Sequence, residues 1–115
     1  MPYFSIQTSK ILDKAQADAL SVKASGFIAK TLGKPEQYVM TAIIHSVSMS
    51  FAGSAGAPAA LVCLKSIGLA KDRCPELSKA ICGFLNDELG VSPDRTFIDF
   101  NPLDGGLFGW NSKTF

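Results

Sequence analysis

The sequence has 115 residues, 47% of them hydrophobic and 18% charged, with a formal net charge of +1. That length and apolar content suit one folded domain with its own core and argue against disorder. The near-neutral charge gives no electrostatic reason to expect nucleic acid or an anionic membrane as partner, and no apolar run approaches the length of a transmembrane helix.

The chain opens Met1-Pro2-Tyr3-Phe4-Ser5-Ile6, and Tyr3, Phe4, Ile6 and Thr8 suit a first strand. No basic start and long apolar stretch precede a small-residue cleavage site, so a secretory signal is not expected here. From Asp13 to Leu32 the pattern turns helical: Leu20, Lys23 and Phe27, and Ala24, Ile28 and Leu32, recur three and four apart. Asp13 is placed to cap that helix, Gly33 to stop it, and Pro35 to prevent its resumption. Tyr38 to Ile44, rich in β-branched and aromatic types, reads as a second strand, and Ser50 to Gly56 has loop composition. Ala59 to Leu64 is a short apolar run that predicts a buried strand. Asp72 to Leu89 reads as a second helix, with Leu77, Ile81, Leu85 and Leu89 every four residues and Gly90 at its end. Thr96 to Phe100 reads as a fourth strand, after which Gly105-Gly106 turns the chain toward the tail Leu107-Phe108-Gly109-Trp110.

The two halves repeat one another as strand, long helix, strand. Each sets a proline, an acidic and a polar residue before its second strand, in Pro35-Glu36-Gln37-Tyr38 and Pro93-Asp94-Arg95-Thr96. Two such units predict an α/β fold: β-α-β repeated, one four-stranded sheet, both helices on one face. The other face would then carry Phe4, Ile6, Leu61, Cys63, Ile98 and their neighbours. An apolar face of that size predicts oligomerisation. The glycine- and aromatic-rich tail would either add an edge strand to a neighbour or fold over its own sheet.

Cys63, Cys74 and Cys82 are odd in number and lack C-x-x-C spacing, and with the single His45 they form no zinc pattern. A reducing, cytoplasmic compartment is the simpler reading, and no metal or cofactor is expected. Cys63 reads as a small apolar filler on its strand, and Cys74 and Cys82 stand about two helical turns apart, too far for a bond.

The chemistry-bearing candidate is Pro2. A small residue after an initiator methionine permits its removal, which would leave Pro2 with a free secondary amine at the start of a buried strand. Terminal amines titrate near 7.7–8.0, so only about a tenth to a sixth are uncharged at neutral pH. Proline's amine is more basic still. Burial and a nearby cation both disfavour the charged form, and each pH unit of depression amounts to about 1.4 kcal/mol. A modest shift therefore converts such an amine into a usable base.

Several segments together raise that candidacy: Met1-Pro2, Gly33-Lys34-Pro35-Glu36-Gln37-Tyr38-Val39-Met40, Ser50-Phe51-Ala52-Gly53-Ser54, Lys65-Ser66-Ile67-Gly68, Ser92-Pro93-Asp94-Arg95 and Phe108 to Phe115. In this order and spacing they make the chain resemble, nearly end to end, the macrophage migration inhibitory factor family of the tautomerase superfamily, which uses an N-terminal proline. The resemblance implies a homotrimer with sheets lining a central barrel and sites between subunits. It implies Pro2 as catalytic base, Lys34 as the carboxylate-binding lysine that lowers the proline's pKa, and the Ile67 N–H as a substrate contact. Tyr38, Phe108 and Trp110 fall where the family lines an aromatic pocket, and Tyr3 sits beside the base.

There are departures. Where better-known members bring a tyrosine and an asparagine from the neighbouring subunit, this chain has Phe97 and Asp99. The hydroxyl is lost and a negative charge is added, which predicts reduced activity on the usual model substrates. The family's C-x-x-C is also missing, with Ala59 and Val62 in its places, so thiol oxidoreduction is unsupported. The implied activity is cofactor-independent keto–enol tautomerisation of phenylpyruvate-like α-keto acids. A cytokine-like ligand for a cell-surface receptor, released without a signal peptide, and an inactive scaffold relative are the alternatives.

Overall fold

The structure is a computed structural model that describes all of residues 1–115. Strand β1 (Tyr3–Thr8), helix α1 (Lys14–Leu32) and strand β2 (Met40–Ile44) form the first unit, and β3 (Ala60–Ile67), α2 (Cys74–Leu89) and β4 (Thr96–Leu103) the second. The sheet runs β2-β1-β3-β4. Within each unit the strands are parallel, while the two units meet through the antiparallel pair β1–β3. The repeat read from the sequence is therefore the architecture. The proline-led segments are one-turn 3₁₀ helices, Glu36–Tyr38 and Pro93–Arg95, each leading toward its strand.

Helix α1 begins at a capping box. The Asp13 carboxylate accepts from the Gln16 N–H at 2.7 Å, and the Gln16 side chain accepts from the Asp13 N–H at 3.0 Å. It ends in a Schellman turn: Gly33 stands at φ 67°, its N–H donates to Lys30 O, and the Lys34 N–H donates to Ala29 O at 2.9 Å. Helix α2 starts later than its periodicity suggested. Lys71–Arg73 is a 3₁₀ turn, and Pro75 sits in the first α-helical turn, where a missing donor costs nothing. Both helices lay one stripe on the sheet. Ala24, Ile28 and Leu32 from α1 and Leu77, Ile81, Leu85 and Leu89 from α2 join Phe4, Ile6, Val62 and Leu64 in one cluster. Each large side chain buried there contributes about 1.5–3 kcal/mol. Between the helices Phe27 stacks on Phe84 with ring centres 4.3 Å apart.

One expectation about the sheet is corrected. Phe4, Ile6 and Ile98 do not face away from the helices: Phe4 and Ile6 are fully buried beneath them, and Ile98 packs against the same cluster. Alternation along a strand sets two faces apart but does not say which one the helices cover, so a parity choice can fail as a block. The uncovered face carries the other set, in rows fixed by register: Met40, Tyr3, Lys65 and Asn101; then Ala42, Ser5, Cys63 and Asp99; then Ile44, Gln7, Leu61 and Phe97. Leu61 and Cys63 are where they were expected. Strand β3 also runs on to Ile67 and β4 to Leu103, beyond their predicted ends.

The tail pairs with itself. Gly109–Trp110 (β5) and Lys113–Thr114 (β6) make a hairpin whose Asn111 and Ser112 both have positive φ, as a type I′ turn requires. At the opposite end of the sheet, Arg95 donates to the carbonyls of Phe51, Ser54, Ala57 and Pro58 at 2.9–3.4 Å. That clamp seats the Phe51 ring edge-on to Phe97, with centres 5.2 Å apart.

A Cβ on Gly33 would meet open space, so its requirement is conformational and not steric. Gly33→Ala is expected to destabilise the fold by about 1 kcal/mol through the left-handed φ alone. Urea denaturation checks this, and an unchanged midpoint would contradict it.

Candidate functional site

Antiparallel pairing places the start of β1 beside the end of β3, and parallel pairing places it beside the start of β2. The chain's first residues therefore sit where three elements converge. Pro2 is fully buried, and its carbonyl accepts from the Met40 N–H at 3.1 Å, extending the β1–β2 ladder by one bond. Tyr3, next along, is flanked by Met40 on one side and Lys65 on the other.

A cavity of about 420 Å³ opens at this corner. Met1, Pro2 and Tyr3 form one wall, Gln37, Tyr38, Val39 and Met40 a second, and Lys65 reaches in from β3. The tail closes it with Phe108, Gly109, Trp110 and Phe115. The aromatic side is built from paired rings. Trp110 meets Tyr38 edge-on at 5.3 Å and stacks on Phe115 at 5.8 Å, while Phe115 also stacks on Phe108 at 6.0 Å. Such pairs add about 0.5–1.5 kcal/mol each beyond burial and hold the rings in place. The last residue is tied down by its backbone: the Phe115 N–H donates to Gly105 O and Phe108 O at 3.1 and 3.2 Å. A Cβ on Gly105 would stand 3.2 Å from Phe115 O, so glycine permits this close seat.

Lys34 lies just behind the wall. The Schellman turn fixes its backbone, and its Nζ donates to the Ile67 carbonyl at 3.1 Å, tying the end of α1 to the end of β3. Its charge still reaches the chain start. The Met1 α-amine is held below its ordinary pKa, chiefly by desolvation and then by the Lys34 ammonium. The folded chain thus holds that proton less tightly than the unfolded one. The shift opposes folding at pH values below the folded pKa, and the opposition fades as pH rises past the ordinary amine value.

Of the residues singled out from the sequence, Pro2, Tyr38, Phe108 and Trp110 come together on the cavity wall, with Tyr3 beside them. Lys34 and Ile67 are bonded to one another next to it. Phe97 and Asp99 are not brought there within one chain. They lie on β4, with Phe97 level with Gln7, four residues along β1 from Tyr3, and Phe97 is 64% exposed. Sequence reasoning missed Lys65, Met40, Gln37, Val39 and Phe115 as wall residues. Lys65 and Met40 follow from strand register, and the glycine pair at 105–106 was the one trace of the Phe115 seat. No three His, Cys, Asp or Glu side chains gather in a way that would hold a metal ion.

A doubled β-α-β sheet whose first residues open into an aromatic cavity beside a lysine is in keeping with the tautomerase superfamily, the class to which the chain's similarities assign it. The family described as macrophage migration inhibitory factor (MIF) matches residues 1–115. The macrophage migration inhibitory factor of Meriones unguiculatus is 35% identical over 118 residues, covering 100% of this chain and 99% of that protein. The homolog from Brugia malayi is 35% identical over 116 residues, with 100% and 99% covered. The crystal structure of the homologue from Prochlorococcus marinus superposes with a TM-score of 0.88 at 39% identity, covering 98% of both chains. The chain belongs to the macrophage migration inhibitory factor family.

With Met1 in place, the α-amine is expected to titrate below a free terminal amine, and Lys34→Gln to move it part of the way back up, since removing a cation restores the protonated form. NMR titration of the amine in both chains reads this directly. A downward move on losing Lys34 would contradict it.

Proposed function

We propose that this chain is a cofactor-independent keto–enol tautomerase acting on phenylpyruvate-like α-keto acids, with Pro2 as general base once Met1 has been removed. The observation that carries the reading is the lodging of the chain start in the wall of an aromatic cavity, where desolvation and Lys34 already depress an amine one residue out. In this reading the amine freed at Pro2 lies against the same wall and within reach of the same Lys34 charge.

In this reading the neutral Pro2 amine takes a proton from the carbon next to the carbonyl and delivers it to the carbonyl oxygen, giving the enol, and in reverse it takes the enol hydroxyl proton and delivers it to that carbon. Lys34 exchanges its bond to Ile67 O for the substrate carboxylate, and the Ile67 N–H supports negative charge developing on the carbonyl oxygen. Tyr38, Phe108 and Trp110 hold the aromatic part and keep water away. One proton moves through one amine, so no metal or redox group takes part.

The reading includes a homotrimer in which the uncovered sheet faces are buried and Phe97 and Asp99 of one copy complete the cavity of the next. The exposed Met40, Leu61 and Phe97 on that face support it. Asp99 would then set a carboxylate near an anionic substrate and weaken its binding. A cytoplasmic site of action suits three cysteines that are all free thiols.

A second reading, a cytokine-like ligand for a cell-surface receptor with incidental catalysis, draws on the similarity to animal proteins named migration inhibitory factors. Receptor binding that survives loss of the proline chemistry would favour it.

Pro2→Gly is expected to lower kcat/KM for phenylpyruvate tautomerisation by at least about a hundredfold, the usual scale for a lost general base. Light scattering should find the oligomer intact. In the wild-type enzyme kcat/KM should rise with pH as the amine deprotonates, with its midpoint below that of an ordinary terminal amine. Full activity in Pro2→Gly, or an initiator methionine retained in the active protein, would overturn the assignment.

A further inference from the structure

Lys65 is the one cationic side chain on the cavity wall, and the proton transfer proposed above gives it no task. Strand register sets it across from Tyr3, the residue that follows Pro2. Neighbouring strands lie about 4.8 Å apart, so Lys65 and the chain start serve the same corner of the cavity. It is half-buried on the sheet face that the helices leave uncovered, with Asn101 on its other side.

The Lys65 ammonium has no partner in the chain. The ion pairs are Lys14–Asp18, Lys23–Glu88 and Arg73–Glu76, and the hydrogen bonds that lysine side chains donate come from Lys14, Lys23 and Lys34. Asp99, one place along the same face on β4, does not pair with it, and no acidic side chain lines the cavity. Lys34 differs on both counts. It is not part of the wall, and its Nζ already donates to Ile67 O at 3.1 Å. It meets a ligand only by leaving that bond, whereas Lys65 has none to leave. A cation held at an apolar, aromatic cavity without a partner is a place for an anion. Because this cation stands beside the chain start, the anion it takes sits close to the carbon that loses its proton. In a 2-oxo acid the carboxylate is attached to the carbonyl carbon and meets that requirement.

We infer that Lys65 is a substrate-binding residue that receives the carboxylate of a 2-oxo acid and so selects acids over their uncharged esters. This rests on the tautomerase reading for its chemistry. A carboxylate has two oxygens, so the contact adds to the one given to Lys34 above. The proton moves through Pro2 as before, and no covalent bond to Lys65 forms or breaks.

The test compares phenylpyruvate with its methyl ester in the native oligomer. In Lys65→Gln the acid-to-ester ratio of kcat/KM should fall at least about tenfold, the scale of one lost charge-assisted contact, and Lys65→Arg should restore most of it. The ratio cancels any general loss of activity or of folded protein, which would lower both substrates alike. A ratio unchanged by Lys65→Gln overturns the inference, while Pro2-dependent turnover of phenylpyruvate leaves the tautomerase reading standing. Calorimetry with the inert pair 3-phenylpropanoate and 3-phenylpropanamide separates the two questions. Tighter binding of the acid that Lys65→Gln abolishes supports the contact even in a chain that turns over neither keto compound. No preference for the acid, or one that Lys65→Gln leaves intact, overturns it.

Discussion

The antiparallel pairing of β1 with β3 is the constraint from which the site follows. A single β-α-β unit leaves the start of its first strand at an edge, with half of its ladder groups unpaired. Joining two units through their first strands places β1 in the middle of the sheet and sets its first residue against the last residues of β3. Pro2, Tyr3, Lys65 and Ile67 become neighbours although the sequence separates them by more than half its length. The helices complete the corner, because α1 must end where β2 begins, and its terminal turn delivers Lys34 to the same end of β3. Thr8 secures the other end of the pair, donating to the Ala59 carbonyl at 2.9 Å.

Lys34 shows how a capping position and a site position are compatible. A lysine after a helix-ending glycine is often no more than a partner for the helix dipole. Here backbone and side chain divide the work. The Lys34 N–H satisfies Ala29 O in the Schellman turn, while the ammonium leaves the helix end and crosses to Ile67 O. The turn removes backbone freedom from the residue whose charge matters, so the cation near the chain start is held by geometry and not only by attraction. Desolvation remains the larger influence on that amine, which fits a wall made of Tyr38, Met40 and Trp110 more than of charges.

Local signals in the sequence were read correctly where they depend on neighbours in the chain. The Asp13 cap, the stops at Gly33 and Gly90 and the doubled β-α-β order are all of this kind, because caps and periodicities act over a few residues. The parity of the strands was not legible. Phe4, Ile6 and Ile98 are as apolar as a lipid- or partner-facing set would be, and only the docking of α1 and α2 decides which side they take. Lys65 and Phe115 escaped for a related reason. One joins the cavity through register across three strands, the other through backbone bonds to Gly105 and Phe108, and neither arrangement leaves a mark on the residues nearby in sequence. The aromatic positions Tyr38, Phe108 and Trp110 were found through family resemblance, since in composition they are indistinguishable from core.

The uncovered sheet face joins the question of assembly to that of the site. Its rows mix apolar side chains at the ends, Met40, Ile44, Leu61 and Phe97, with Ser5, Cys63 and Asp99 between them. A purely hydrophobic face would need covering whatever lay opposite, at about 25 cal/mol for each Å² removed from water. A mixed face gains from burial only where its polar groups meet partners, so it selects what covers it. Tyr3, Lys65 and Ile67 lie on this face at the cavity end, and Phe97 and Asp99 lie on it along β4. Whatever covers the sheet therefore decides the surroundings of Asp99 and the depth of the cavity at once. Pro2, in step with Phe4 and Ile6, is already fully buried within the protomer, while Tyr3 and Lys65 beside it turn to the uncovered face.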